Sequence, residues 1–256
     1  MNINKNIKLL TLLFFLLLSF NLFAGEKEDN FINGNSVDCE GCKLAGLKLK
    51  HMDLRGANLQ NADLRTTSFH RSDLFGANFN NANLEGANLN KTILIKASFK
   101  NANLTNAMFF EADMKKANLE GAQMNGVRMG KAILNSANMK NIIANQAFFI
   151  EANMPKVILT GSTFYKTLFD VANLQNANIT NIDASYSSFY LANMRYADLS
   201  NSKFISTDFY KSKLLGAILS NSDFSYARFL RSNMRDVVIE NTIFTEAIQP
   251  NGQKYE

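Results

Sequence analysis

The chain has few of the residues that most catalytic and metal sites require. Its 256 residues include two histidines, two cysteines, two prolines and no tryptophan. This leaves little material for a zinc site or for a nucleophile with its base. With only 13 glycines, turns built mainly from glycine and proline cannot be common. We therefore expect a protein that is not an enzyme and that binds no metal and no cofactor.

The charge of the chain is also nearly balanced once its first segment is set aside. Residues 1–24 hold two lysines and no acid, so the remainder has 25 basic and 22 acidic side chains, a net charge of +3. A balanced surface gives no support for a nucleic-acid partner, since such partners require concentrated basic charge.

Residues 1–24 have the pattern of a secretory signal peptide. Lys5 and Lys8 precede an apolar run over residues 9–20, and small residues lead to a cleavage position after Ala24. We expect export to the periplasm or the extracellular space, and no membrane span after cleavage. An uncleaved membrane anchor is the alternative, although the run is short for a span of about 20 residues.

The rest of the chain repeats with a period of five. Every fifth residue from Leu44 to Phe244 is apolar, which makes 41 central positions, and the residue two places earlier is usually small. Asn or Asp most often lies between the two, as in Ala57-Asn58-Leu59. A period of five fits neither a helix nor a strand. It fits a solenoid in which each pentapeptide forms one short side of a coil and turns its central and small residues inward.

This pattern resembles the A-(N/D)-L-x-x unit of the pentapeptide-repeat family. The segments GANLQNADL (56–64), FNNANLEGANL (79–89) and LQNANI (174–179) carry the resemblance. It implies an all-β fold, a right-handed quadrilateral parallel β-helix of about ten coils over residues 39–245. Residues 25–38 would then be a short lead-in and residues 246–256 a C-terminal tail.

The sequence supports four sides independently of the resemblance. Sorting the central positions by a period of twenty gives four faces, and seven of the ten central residues of the second face are Phe. We expect these phenyl groups to stack, with Phe149, Phe169 and Phe189 one above another. The two small central residues, Ala144 and Ala184, each follow an Ile two positions earlier, as a shared, closely packed core requires.

The second face also differs from the others in its outward residues. Asn, Lys, Ser and Glu predominate elsewhere, but here apolar and aromatic side chains recur. Exposed apolar stripes on soluble proteins mark contact surfaces. The candidate partner-binding residues are Met108, Phe110, Phe148, Ile150, Leu168, Tyr190, Leu191, Tyr210 and Leu230, with Val171 beside them. The alternative is that these are scattered hydrophobic residues of no function.

The two cysteines open the repeat region. Cys39 falls on a central position and Cys42 on a small position, so both should point inward. The family resemblance, in which a similar C-x-G-C-x-L run is common, implies a disulfide or two buried thiols that close the first coil. A zinc site would need further ligands, with only His51 nearby, and His51 and His70 are expected at the surface.

The ends of a solenoid expose unpaired backbone. Both flanking segments are too short for large caps, so we expect the C-terminal coil to pair with a second copy as a homodimer.

The functional expectation is an exported protein-interaction rod that binds an unidentified protein through the second face. One alternative is a DNA mimic that interacts with gyrase, as in quinolone-resistance members of the family. A rod of about 50 Å would need on the order of 30 negative charges for that role, and the chain has 22 acids. Another alternative is a secreted effector that acts on a host cell.

Overall fold

The structure is a computed structural model that describes residues 25–255, so the predicted signal peptide lies outside the described residues. Parallel β-bridges join residues twenty positions apart in a single register, from Asp38–Asn58 to Arg228–Ile248. Each side of a coil contributes one bridging residue rather than a continuous strand. Twenty residues therefore make one turn of four pentapeptides, as predicted. An α-helix over residues 25–32 precedes the coils.

The corners explain how the chain turns so often with so little glycine. Every fifth residue from 41 to 246 has a positive φ, and 33 of these corner residues are not glycine. Asn is frequent among them because its side chain tolerates the left-handed region. Most corners are closed by a local bond, as where the amide of Ala57 donates to the carbonyl oxygen of Leu54 at 3.0 Å.

The core consists of columns of like side chains. On the second face the rings of Phe149 and Phe169 stack at 4.9 Å, those of Phe169 and Phe189 at 4.8 Å, and those of Phe189 and Phe209 at 5.2 Å. The predicted stacking of these phenyl groups is confirmed. Phe164 of the first face meets Phe169 edge to face at 5.2 Å, so adjacent columns interlock.

Most buried hydroxyls at the small positions find a partner within the coils. The Thr67 hydroxyl donates to the carbonyl oxygen of Leu44 at 2.7 Å, and the Thr167 hydroxyl donates to that of Ala144 at 2.6 Å. Each bond reaches back 23 residues to the preceding coil. Ser and Thr can therefore replace Ala inside the shaft at these positions, whereas the buried hydroxyls of Ser212 and Ser232 have no partner among the described residues.

The N-terminal end is covered despite the short lead-in. Helix 25–32 packs Phe31 against the first coil, where its side chain is fully buried. The Glu28 carboxylate accepts a hydrogen bond from the backbone amide of Lys43 at 2.9 Å, and Lys27 donates to the carbonyl oxygen of Glu40 at 3.0 Å. Side chains thus replace the backbone partners that a preceding coil would provide.

The C-terminal end corrects one expectation. Ile239 was predicted to point into the core, but it is 49% exposed because no coil follows it. Met234 and Phe244 of the same coil are only partly buried. The tail covers one side of this end: the Tyr255 ring stacks on Phe244 at 4.2 Å, and its hydroxyl lies 3.8 Å from the Met234 sulfur.

Candidate protein-binding face

The second face is the side of the shaft with outward residues 48, 50 and 51 and their equivalents at intervals of twenty. Its inward residues are Leu49, Phe69, Leu89, Phe109, Met129, Phe149, Phe169, Phe189, Phe209 and Phe229, all buried. The stacked phenyl column behind the later coils fixes the positions from which the outward side chains leave the backbone. The surface is therefore displayed on a rigid support.

The predicted partner-binding residues all reach the surface of this face, to different extents. Phe110, Phe148 and Leu191 are 39%, 38% and 37% exposed, and Val171 is 48% exposed. The others are half-buried because they lie against neighbours in their own columns; they are Met108, Ile150, Leu168, Tyr190, Tyr210 and Leu230. Bridges join residues 108, 128, 148 and 168 in sequence, so their side chains form one continuous column.

Exposed apolar residues on the other faces are single or form short clusters. Ile93 of the third face lies between two aspartates in its column, whereas Ile218 and Val238 are neighbours in a column of the fourth face. The rings of Tyr165 and Tyr186 on the first face meet at 5.3 Å. On the second face, apolar side chains follow one another over more coils and in more than one column.

Toward the C-terminal end the face carries aromatic rings with cations. The rings of Tyr190 and Tyr210 stack at 5.8 Å. The Lys211 ammonium lies 5.1 Å from the centre of the Tyr210 ring, and the Arg228 guanidinium lies 4.9 Å from it. Arg228 also donates to the Asp208 carboxylate at 2.9 Å through Nε, and this pairing raises the pKa of the guanidinium. These contacts hold Tyr210 in place.

Two apolar residues of the face occupy strained corners. Val171 has φ 61° and Leu191 has φ 55°, in the left-handed region that branched side chains disfavour. Thr66 is the other β-branched residue in such a corner. Asn or Gly would fit these positions with less strain, and Lys would be more soluble there, so the local fold does not account for Val171 and Leu191.

A shallow depression lies in the middle of the face. It encloses about 490 Å³ and is lined by Asn90, Met108, Phe110, Arg128, Gly130, Phe148 and Ile150. The prediction from sequence included four of these residues and missed Asn90, Arg128 and Gly130. The signal was present, because Gly130 interrupts a run of large residues spaced by twenty, but a single glycine in a repeat protein is not distinctive.

Charge distinguishes this face as well. Its outward positions hold nine basic and four acidic side chains, whereas the other positions of residues 25–256 hold 16 basic and 18 acidic ones. Lys91 pairs with Glu111 at 3.3 Å and Lys131 with Glu151 at 3.6 Å along one corner column. The face is thus cationic on a chain that is otherwise nearly neutral.

The cysteines and histidines form no reactive cluster. Cys39 and Cys42 are joined in a disulfide with Cα atoms 5.2 Å apart. His51 and His70 meet edge to face at 6.1 Å, and burial together with the nearby Arg71 charge lowers the pKa of His70. Within residues 25–255, no group of three or more His, Cys, Asp or Glu side chains is placed to hold a metal ion.

Comparison with known proteins identifies the family. The family model for pentapeptide repeats matches residues 35–71, 72–109, 132–170, 172–209 and 202–241. The chain belongs to the pentapeptide-repeat family and folds as its right-handed quadrilateral β-helix. No curated protein sequence matches the chain significantly. Over the described part of the chain, no helix combines the length and apolar character needed to cross a membrane.

Solved structures of the family resemble the chain to different degrees. HetL of the cyanobacterium Nostoc sp. strain PCC 7120, a protein involved in regulating heterocyst differentiation, is 25% identical with a TM-score of 0.58; the match covers 90% of this chain and 98% of HetL. QnrB1, a plasmid-mediated fluoroquinolone resistance protein, is 16% identical with a TM-score of 0.44; the match covers 79% of this chain and 92% of that structure. The family model and the HetL match point to no family of enzymes.

Proposed function

We propose that the protein is an exported, non-catalytic rod that binds a partner protein through its second face. The continuous apolar and aromatic surface of that face is the observation that carries the proposal. Exposed apolar area of this kind favours association, since each buried Å² contributes about 25 cal/mol. The rigid phenyl column beneath it lowers the ordering cost of binding.

The strained corners support the same conclusion. Val171 and Leu191 retain large apolar side chains in a backbone conformation that favours Asn or Gly. Residues held in unfavourable conformations concentrate at functional sites. Neither residue is needed to fill the core, because both side chains are more than a third exposed.

Site-specific photocrosslinking in the native host tests this proposal. A benzoylphenylalanine at position 148 of the second face should yield a discrete adduct with one partner protein. The matched control places the same group at position 93 of the third face, since Phe148 and Ile93 are similarly exposed, at 38% and 42%. An adduct of equal yield at both positions would contradict a specific face.

A second set of variants separates binding from folding. The triple variant Phe110→Ser, Phe148→Ser, Tyr190→Ser removes outward groups only and should keep the circular dichroism spectrum and melting temperature of the wild type. Crosslinking from position 171 should be lost in this variant. It should persist in a control that changes Ile93, Ile143 and Ile218 to Ser on the other faces. Persistence in the first triple variant would exclude the second face as the binding surface.

Export follows from the sequence pattern of residues 1–24 and is part of the proposal. Mass spectrometry of the protein from its native host should give a mature chain that begins at Gly25. Fractionation should find this chain in the periplasm or the medium. A full-length chain retained in the membrane fraction would favour the uncleaved anchor instead.

We also propose that two copies associate through their C-terminal coils. In that coil the backbone amides of Met234, Ile239 and Phe244 have no following coil to bond, and Ile239 is half exposed. Open edges of this kind pair with other chains unless they are covered. The tail covers only the side near Phe244 and Met234.

A further inference from the structure

We propose that the depression at Gly130 is a socket for one apolar side chain of an extended, acidic polypeptide, and that Arg128 binds a carboxylate of the same segment. This inference rests on the proposed function, because it defines the part of the second face that selects the partner. Three features of the described residues support it: an apolar depression, a glycine that the backbone conformation does not require, and a guanidinium without a carboxylate partner.

The gap lies in the column formed by Asn90, Phe110, Gly130 and Ile150. Coils are about 4.8 Å apart, so the backbones of Phe110 and Ile150 are about 10 Å apart. The Phe110 ring leans over Gly130, and together with Ile150 it lines the apolar part of the depression. One aliphatic or aromatic side chain of a ligand would pack against this lining from outside.

Glycine at position 130 is not required by the fold. Eleven of the 13 glycines have positive φ, but Gly130 does not. A Cβ atom built there would lie 3.5 Å from Phe110 Cδ2 and 3.6 Å from the Ile150 carbonyl oxygen, which are ordinary contacts. Every other residue of this column between positions 90 and 250 has a side chain. The missing side chain therefore relieves no backbone strain; it lets the Phe110 ring lie over the backbone and leaves the depression shallow and open.

Arg128 lies beside the gap, in the column between Met108 and Phe148. Its guanidinium has no carboxylate within 4.0 Å among residues 25–255, whereas Arg228, one hundred residues later in the same column, pairs with Asp208. A guanidinium binds carboxylates through two parallel hydrogen bonds, and apolar surroundings strengthen that pairing. Arg128 is thus an available carboxylate site at the rim of the depression.

The spacing between Arg128 and the depression at Gly130 indicates which peptide sequence would bind. Arg128 and Gly130 are two positions apart on one pentapeptide side, about 6.6 Å along an extended backbone. A polypeptide places adjacent or next-nearest side chains at this separation. The expected segment therefore has an apolar residue one or two positions from Asp or Glu.

Selection from a displayed library of random dodecapeptides tests this proposal on the purified chain. Peptides retained by the wild type and not by Gly130→Phe should be enriched in Phe, Tyr, Leu, Ile or Met next to, or two positions from, Asp or Glu. A synthetic copy of an enriched peptide should bind Gly130→Phe and Arg128→Glu at least about ten-fold more weakly, since each change removes one anchor. Gly130→Ala, which fills the socket only partly, should give an intermediate loss.

Matched controls keep the result specific. Thr105→Phe adds the same ring at the equivalent position of the first face, and Lys213→Glu reverses a charge at the position equivalent to Arg128 on the third face. Neither should change peptide affinity. Replacing the peptide's Asp with Asn should weaken binding to the wild type. The same replacement should not change binding to Arg128→Gln, because that variant has no guanidinium with which the Asp carboxylate could pair.

The outcomes separate this inference from the proposed function. The selected peptides could lose affinity when Phe148 and Tyr190 are replaced, yet bind Gly130→Phe and Arg128→Glu with unchanged affinity. This result would overturn the socket and leave the second face as a binding surface. Failure to select any peptide that depends on the face would contradict both. Displacement of a selected peptide by a duplex oligonucleotide at equal concentration would assign the site to nucleic acid and overturn the polypeptide ligand.

Discussion

At the scale of single residues, the stacked phenyl column is the main source of packing within the second face. Phe169 has a ring neighbour above and below at 4.8 and 4.9 Å, and a third ring, Phe164, at its edge. Such contacts add to the free energy gained by removing the ring from water. A change in one ring is therefore transmitted to both adjoining coils.

We predict that Phe169→Ala lowers the free energy of unfolding by about 3–5 kcal/mol, because it leaves a cavity that the flanking rings cannot fill. Denaturant titration measures the loss. Phe110→Ala, which removes a ring that is 39% exposed, should cost much less and serves as the control. Equal losses for the two variants would contradict the assignment of inward and outward residues.

Val171 gives a second prediction at this scale. Its branched side chain at φ 61° is strained, and Asn tolerates this conformation. Val171→Asn should raise the free energy of unfolding by about 1 kcal/mol, and the reverse change at the equivalent corner of the next side, Asn176→Val, should lower it by a similar amount. If Val171→Asn destabilises the protein, the side chain packs more than its exposure indicates.

Which residues could be assigned from the sequence depends on whether their environment repeats. The five-residue period fixes the same environment in every coil, and from it follow the inward position of Phe169 and the matched pair Ile142 and Ala144. The exposure of Ile239 could not be assigned from this period, because it depends on where the last coil ends. The binding residues were assigned as outward from the repeat, but the depression at Gly130 depends on how neighbouring side chains lean, which no period determines.

At the scale of structural elements, the two terminal segments close the shaft by different means. Helix 25–32 provides Phe31 for the core and Glu28 for an edge amide. The C-terminal tail folds back through an antiparallel bridge between Ile248 and Lys254 and places Tyr255 on the last coil. Helix 25–32 lacks the five-residue pattern and the C-terminal segment keeps it only through Ile248, so the structure beyond these limits could not be assigned from the repeat.

The docked tail predicts a dependence on alkaline pH. Burial raises the pKa of the Tyr255 phenol above its ordinary value of 10.0. The folded state therefore favours the neutral phenol, and the stability gained from docking is complete below pH 10 and decreases as the pH rises toward the folded pKa. Titration of the phenolate absorbance should show one late-titrating tyrosine that is missing in Tyr255→Phe. Identical late phases in both proteins would place the perturbed tyrosine elsewhere.

At the scale of the whole molecule, the two ends of the shaft differ in how well they are covered, and this difference determines the assembly that we expect. The N-terminal end is covered by a helix, whereas the C-terminal end leaves Ile239 and Ile243 about half exposed, at 49% and 51%. Association of two C-terminal coils would bury both residues and leave the N-terminal ends pointing outward. The second faces of the two copies would then remain accessible to partners.

We predict that light scattering of the purified protein gives the mass of a dimer at micromolar concentration. Ile239→Glu should give a monomer, because the dimer interface would bury the introduced carboxylates of the two copies close to each other. Val37→Glu, at the opposite end of the shaft where the side chain is 48% exposed, should remain dimeric. A monomeric wild type would contradict this assembly.

The register of the bridges has a consequence for how such a protein changes length. Since each residue pairs with the one twenty positions away, a gene that gains or loses twenty codons keeps every later side chain on its original face. An insertion or deletion of five, ten or fifteen codons instead rotates all that follows by one, two or three sides. Solenoids of this kind therefore lengthen by whole coils. A binding surface on one face is kept only when the insertion or deletion is a multiple of twenty residues.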